Sequence, residues 1–71
     1  MSAITIVYEW SDDGWWVAEV AEMPGAISQG KTKEEARLNV MDAFTELCAA
    51  RRDLAIKGTI PGNVETIQLA S

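Results

Sequence analysis

The dipeptide Trp15-Trp16, set in the run "WSDDGWWVAEV", constrains this chain more than any other feature. The runs on either side of the SDDG break, AITIVYEW and WWVAEVAE, are rich in β-branched and aromatic residues, the composition of strands. Successive side chains of a strand point to opposite sides of a sheet, so a strand carrying both tryptophans places a large aromatic on each face. A chain of 71 residues has room for one domain and one core. At this size a core rarely supplies more than about 3 to 5 kcal/mol of net stability without a disulfide, a metal or association. Cys48 is the single cysteine and there is no histidine, which removes an intrachain bridge and a zinc site of the usual ligand types. Association is what remains to cover a second apolar face.

The order of elements is βββαβ. Residues 3–10 (AITIVYEW) and 15–22 (WWVAEVAE) read as two strands of a hairpin, with Asp and Gly in "SDDG" between them. A four-residue loop at 11–14 sets Trp10 opposite Trp15, Tyr8 opposite Val17 and Ile6 opposite Glu19 on one face. Because the small Ala18 lets a helix approach, Trp16, Ala18 and Val20 are expected to face inward, leaving Tyr8, Trp10, Trp15 and Val17 outside. "MPGA" breaks the pattern and a short third strand follows at 26–30. Thr32 and Glu35 in "TKEEA" form a capping-box pattern that opens a helix. Ala36, Val40, Ala43, Phe44, Leu47 and Leu54 then recur at helical spacing over 33–57, a length of roughly 37 Å. A typical strand covers only about 17 to 20 Å, so the helix end is expected to overhang the sheet or fray. Residues 63–70 (NVETIQLA) alternate like a fourth strand, reached through a crossover and running parallel to a neighbour. The fold expected is a single α+β domain over 1–71, a mixed sheet with one helix on one face.

Eleven acidic residues against six basic ones give a formal net charge of −5. That balance repels a phosphate backbone and disfavours direct nucleic-acid binding, while favouring a basic protein partner. No apolar run approaches the roughly 20 residues of a membrane span, and no signal-peptide pattern precedes the first strand. The reading is a cytoplasmic protein with no membrane contact and no cofactor.

The run "DDGWWVAEVAEMPGAISQGKTKEEARLNVMDAF" resembles the HicB family of antitoxins. Asp13, Gly14, Trp16, Val20, Pro24, Gly25, Gln29, Gly30, Thr32, Glu35 and Ala36 match that family's pattern of hairpin, Pro-Gly turn, Gln-Gly strand end and Thr-capped helix. Met23 stands where Leu is usual, and Ala21 where Pro is frequent. The resemblance implies a partial ribonuclease-H-like fold and a role in a toxin-antitoxin system: binding a small, basic, RNA-cleaving HicA-type toxin and masking its active site. Members commonly add a C-terminal DNA-binding domain, which this chain is expected to lack. The alternative is a stand-alone HicB-like homo-oligomer, a dimer or tetramer, with no toxin partner and a structural role.

The candidate partner-binding residues are Tyr8, Trp10, Asp12, Asp13, Trp15, Val17 and Glu19. An enzymatic role is not expected. A two-metal nuclease needs several converging carboxylates, whereas Asp12 and Asp13 fit a hairpin turn and Glu19 and Glu22 alternate faces. Lys31, Lys33, Glu34, Glu35 and Arg37 read as a solvated helix start. Arg51 and Arg52 complement the negative end of the helix dipole, and Cys48 reads as a small buried hydrophobe with no base to activate it.

Overall fold

The computed structural model describes residues 3–69. Three strands, β1 (Ile6–Ser11), β2 (Trp15–Val20) and β3 (Ile27–Gly30), precede one helix, α1 (Lys33–Ile56), and a single 3-10 turn at Pro61–Asn63. The sheet order is β1-β2-β3 and both pairings are antiparallel. Helix α1 packs on β3 and β2, leaving β1 as the outlying edge. The fold is thus α+β with the helix on one face of the sheet, as the order of sequence patterns indicates.

The hairpin loop is one residue shorter than its composition suggests. Ser11 pairs with Trp15, so only Asp12, Asp13 and Gly14 form the loop. Gly14 has φ of +92° and its N–H donates to the Ser11 carbonyl at 3.0 Å, the turn-plus-left-handed-residue geometry of three-residue hairpins. The Ser11 hydroxyl donates to the Asp13 carboxylate and closes the turn. A one-residue slip changes which side chains share a face. Ile6 therefore pairs with Val20, Tyr8 with Ala18 and Trp10 with Trp16. This corrects the expected faces: Tyr8 and Trp10 lie on the helix side with Trp16, Ala18 and Val20, while Trp15 and Val17 lie outside.

Ala18, Val20, Ala26, Ala36 and Val40 are fully buried and form the centre of the core. Ile4, Ile6, Tyr8, Trp16, Met23, Phe44 and Leu47 pack around them, partly exposed. A core centred on three alanines and two valines brings helix and sheet close together. The tightest approach is at Gly30, where a Cβ would lie 2.5 Å from the Ala36 backbone nitrogen and 2.8 Å from the Glu35 carbonyl carbon. The cap that starts the helix sits beside this point. Thr32 accepts from the Glu35 N–H at 3.1 Å, and the Glu35 carboxylate accepts in return from the Lys31 N–H at 3.0 Å, one residue earlier than the usual reciprocal bond. Asn39 ties the second turn of the helix to β3 by donating to the Gln29 carbonyl at 2.8 Å.

Beyond the sheet the chain changes character. Helix residues 50–56 are all exposed, which is the overhang expected from the mismatch of helix and strand lengths. The expected fourth strand does not form: 64–69 join no ladder, Pro61–Asn63 make a 3-10 turn, and every residue of 57–69 is exposed. Ala70, the last residue of that expected strand, lies outside the described residues. Alternation marks a segment fit to be a strand, but a strand forms only where the segment lies against an open edge. The sheet is consequently all antiparallel rather than mixed. The radius of gyration is 15.3 Å, against about 11 Å for a compact domain of this length.

Candidate protein-binding face

The face of the sheet turned away from α1 carries Val7 and Glu9 on β1, Trp15, Val17 and Glu19 on β2, and Ile27 and Gln29 on β3. Across the strands these fall into two rows, Val7–Glu19–Ile27 and Glu9–Val17–Gln29, so apolar and polar groups alternate diagonally. Val7 is 55% exposed and Ile27 52%. Trp15 is half-buried, with the Lys31 ammonium 4.2 Å from its ring centroid. The register explains that contact. With Trp16 opposite Gly30, the next residue of the β3 end arrives beside Trp15.

At the same end of the sheet, on the helix side, Trp10 and Trp16 meet edge to face with centroids 5.2 Å apart and planes at 63°. The Lys33 ammonium lies 4.7 Å from the Trp16 ring and 5.7 Å from that of Tyr8. Half of Trp10 stays exposed, where it lines an open depression with Glu9, Ser11, Asp12 and Val17. Trp10 thereby reaches the margin of the outer face from the inner one.

The seven residues singled out from the sequence are therefore distributed rather than coplanar. Trp15, Val17 and Glu19 share the outer face, Asp12 and Asp13 form the turn at its end, and Tyr8 and Trp10 belong to the helix side. Lys31 and Lys33, read from sequence as solvated, lie over aromatic rings on the two faces, an attraction of about 0.5 to 1 kcal/mol at exposed sites. Val7, Glu9 and Ile27 are also members of the outer face: a four-residue loop puts Val7 and Glu9 on the face of Trp16 and Ala18, whereas the three-residue loop pairs them with Glu19 and Val17.

Over residues 5–22 the hairpin has five acidic side chains and no basic one. Among the described residues no group of three His, Cys, Asp or Glu side chains converges in a way that could hold a metal. Glu22 is occupied locally: hydrogen bonds from Thr5, first at its side chain and then at its backbone N–H, hold the carboxyl below its ordinary range. Cys48 is half-buried and its thiol lies 4.0 Å from the Met23 sulfur. No helix of the described residues is long and apolar enough to cross a membrane.

The chain is similar to a UPF0150 protein of Thermoplasma acidophilum, with 41% identity over 40 residues. That match covers 56% of this chain and 58% of the relative, so the chain spans little more than half the length of the curated protein it matches. No family model matches the chain, and no solved structure does.

Proposed function

We propose that this protein is a binding module of the HicB antitoxin type, which docks a small basic RNA-cleaving protein on the outer face of its sheet and masks that partner's active site. One observation carries the reading: a face with Trp15, Val7, Val17 and Ile27 is left uncovered by the single helix, with Glu19 set between Val7 and Ile27, Glu9 beside Val17 and the Asp12-Asp13 turn at one end. Aromatic and aliphatic groups interspersed with charge suit a protein interface, and acidic groups steer a basic partner. The HicB-like order of turn, strand end and helix cap supports the same class of partner.

The test is co-expression with the product of the adjacent reading frame. That product is expected to be a small basic protein whose toxicity the wild-type chain suppresses. Trp15→Ala is expected to keep the circular dichroism of the folded chain and to lose suppression, since an aromatic hot spot of an interface carries about 2 kcal/mol or more of binding. Trp16→Ala, by contrast, removes a side chain packed on the core and is expected to lower the melting temperature. A neighbour whose toxicity is unchanged by the wild-type chain would sink the reading.

A further inference from the structure

We propose that residues 64–69 form a strand in a second copy of the chain, pairing with the open edge of that copy's β1 while the second copy's arm does the same in return. This association uses the sheet edge and not the outer face, and does not rest on the antitoxin reading.

Three observations converge on it. The first is an acceptor. The Ala21 N–H donates to the Thr5 carbonyl at 2.8 Å, and alternation along an antiparallel ladder then turns the backbone groups of Val7 and Glu9 towards β2 and those of Ile6, Tyr8 and Trp10 out to the open edge. Natural edges are usually blunted by lysine, proline or a bulge. β1 has none of the three across its six residues, and Glu9 is its only charge. The second is a donor of matching length. Residues 64–69 alternate with a period of two, carry the single charge Glu65, and expose Ile67 by 69% and Leu69 by 71%. Paired to β1, they set Ile67 and Leu69 beside Ile6 and Tyr8, which are only partly covered because α1 stops at β2.

The third observation selects a second copy over closure on the same chain. Leu54, 71% exposed, and Ile56 lie on the helix overhang, past the reach of the chain's own sheet, and a return of the arm to its own β1 leaves them bare. A second copy entering from that end covers overhang and arm together. Charge agrees: Arg51 and Lys57 are exposed on the overhang and the linker after it, with Arg52 paired to Asp53 at 3.7 Å, whereas the hairpin carries acidic charges alone. Each copy supplies both exposed basic groups and an acidic hairpin, so a reciprocal exchange about a two-fold axis is closed and pairs the β1 edge of both copies.

The full chain at micromolar concentration is measured by light scattering after size exclusion, and by amide hydrogen exchange. The expected result is a two-chain mass, slow exchange at Ile6, Tyr8, Trp10 and across the arm, and intermolecular nuclear Overhauser contacts between arm and β1 in a mixture of labelled and unlabelled chains. Ile67→Asp, at an exposed position outside the core, is expected to raise the dissociation constant at least about thirtyfold, restore fast exchange at Tyr8, and leave the helical signal intact. Ile67→Val is expected to retain the two-chain mass. A single-chain mass with slow exchange at the β1 edge means closure on the same chain and overturns the proposal. So does a two-chain particle that Ile67→Asp leaves unchanged.

Discussion

The two ends of α1 obey different rules. Over its first half the helix is held on three sides: Thr32 and Glu35 cap it, Asn39 binds β3, and Ala36 and Val40 are fully buried against Ala18 and Val20. Over 50–56 the same helix continues with no buried side chain, and the segment that follows is exposed throughout. Helix propensity is adequate in both halves, with Ala49, Ala50, Arg51, Arg52, Leu54 and Ala55 all good formers. The difference is tertiary. Packing stabilises the helix as far as Leu47, whereas 50–56 persist on propensity and present their apolar groups to whatever comes next.

The contrast is broken most severely at Gly30. A methyl group there meets backbone atoms of Glu35 and Ala36 that cannot yield without shifting the whole helix start. Gly30→Ala is expected to cost about 3 kcal/mol and, in a domain with a margin of only about 3 to 5, to abolish the cooperative melt followed by circular dichroism.

A matched pair along one helix sharpens the comparison. Val40→Ala removes two buried methyl groups and is expected to lower stability by about 2 kcal/mol in urea titration. Leu54→Ala removes more carbon from a more exposed site, and at dilutions where the chain is monomeric its effect is expected to stay within about 0.5 kcal/mol. Equal losses at the two positions would mean that the overhang is covered within the single chain.

The smallest effect concerns the start of the sheet. The folded chain lowers the Glu22 carboxyl from its ordinary value of 4.5 through its hydrogen bonds with Thr5. A depressed folded value means stability that is present above the unfolded value and is lost as pH falls through the folded one. Melting temperature should therefore drop on acidification below the ordinary value. Glu22→Gln should flatten that limb slightly while leaving the neutral-pH melt nearly unchanged, because the group is fully exposed. An acid limb identical in the variant would show that the Thr5 bonds do not persist in solution.

Much of this arrangement is written locally. The hairpin, the break at Pro24-Gly25, the cap at Thr32 and the buried stripe through Ala36 and Val40 each rest on short-range chemistry, namely alternation, turn residues and helical spacing. The helix ends within one residue of the position that Gly58 and Pro61 indicate. The overhang too follows from sequence, since 24 helical residues are longer than any of these strands.

Which side chains share a face was a tertiary decision. "SDDG" is compatible with a loop of three or of four residues, and only the pairing of Ser11 with Trp15 chooses between them. That single residue moved Tyr8 and Trp10 to the helix side, while the separate register of β2 on β3 brought Lys31 over Trp15. The fate of 63–70 was beyond local chemistry for a related reason: alternation makes a segment fit to pair, but pairing requires an edge, and edges are properties of the assembled sheet. Residue pattern determined what each segment of this protein can become, while register and available edges, which depend on contacts between segments distant in sequence, decided what it meets.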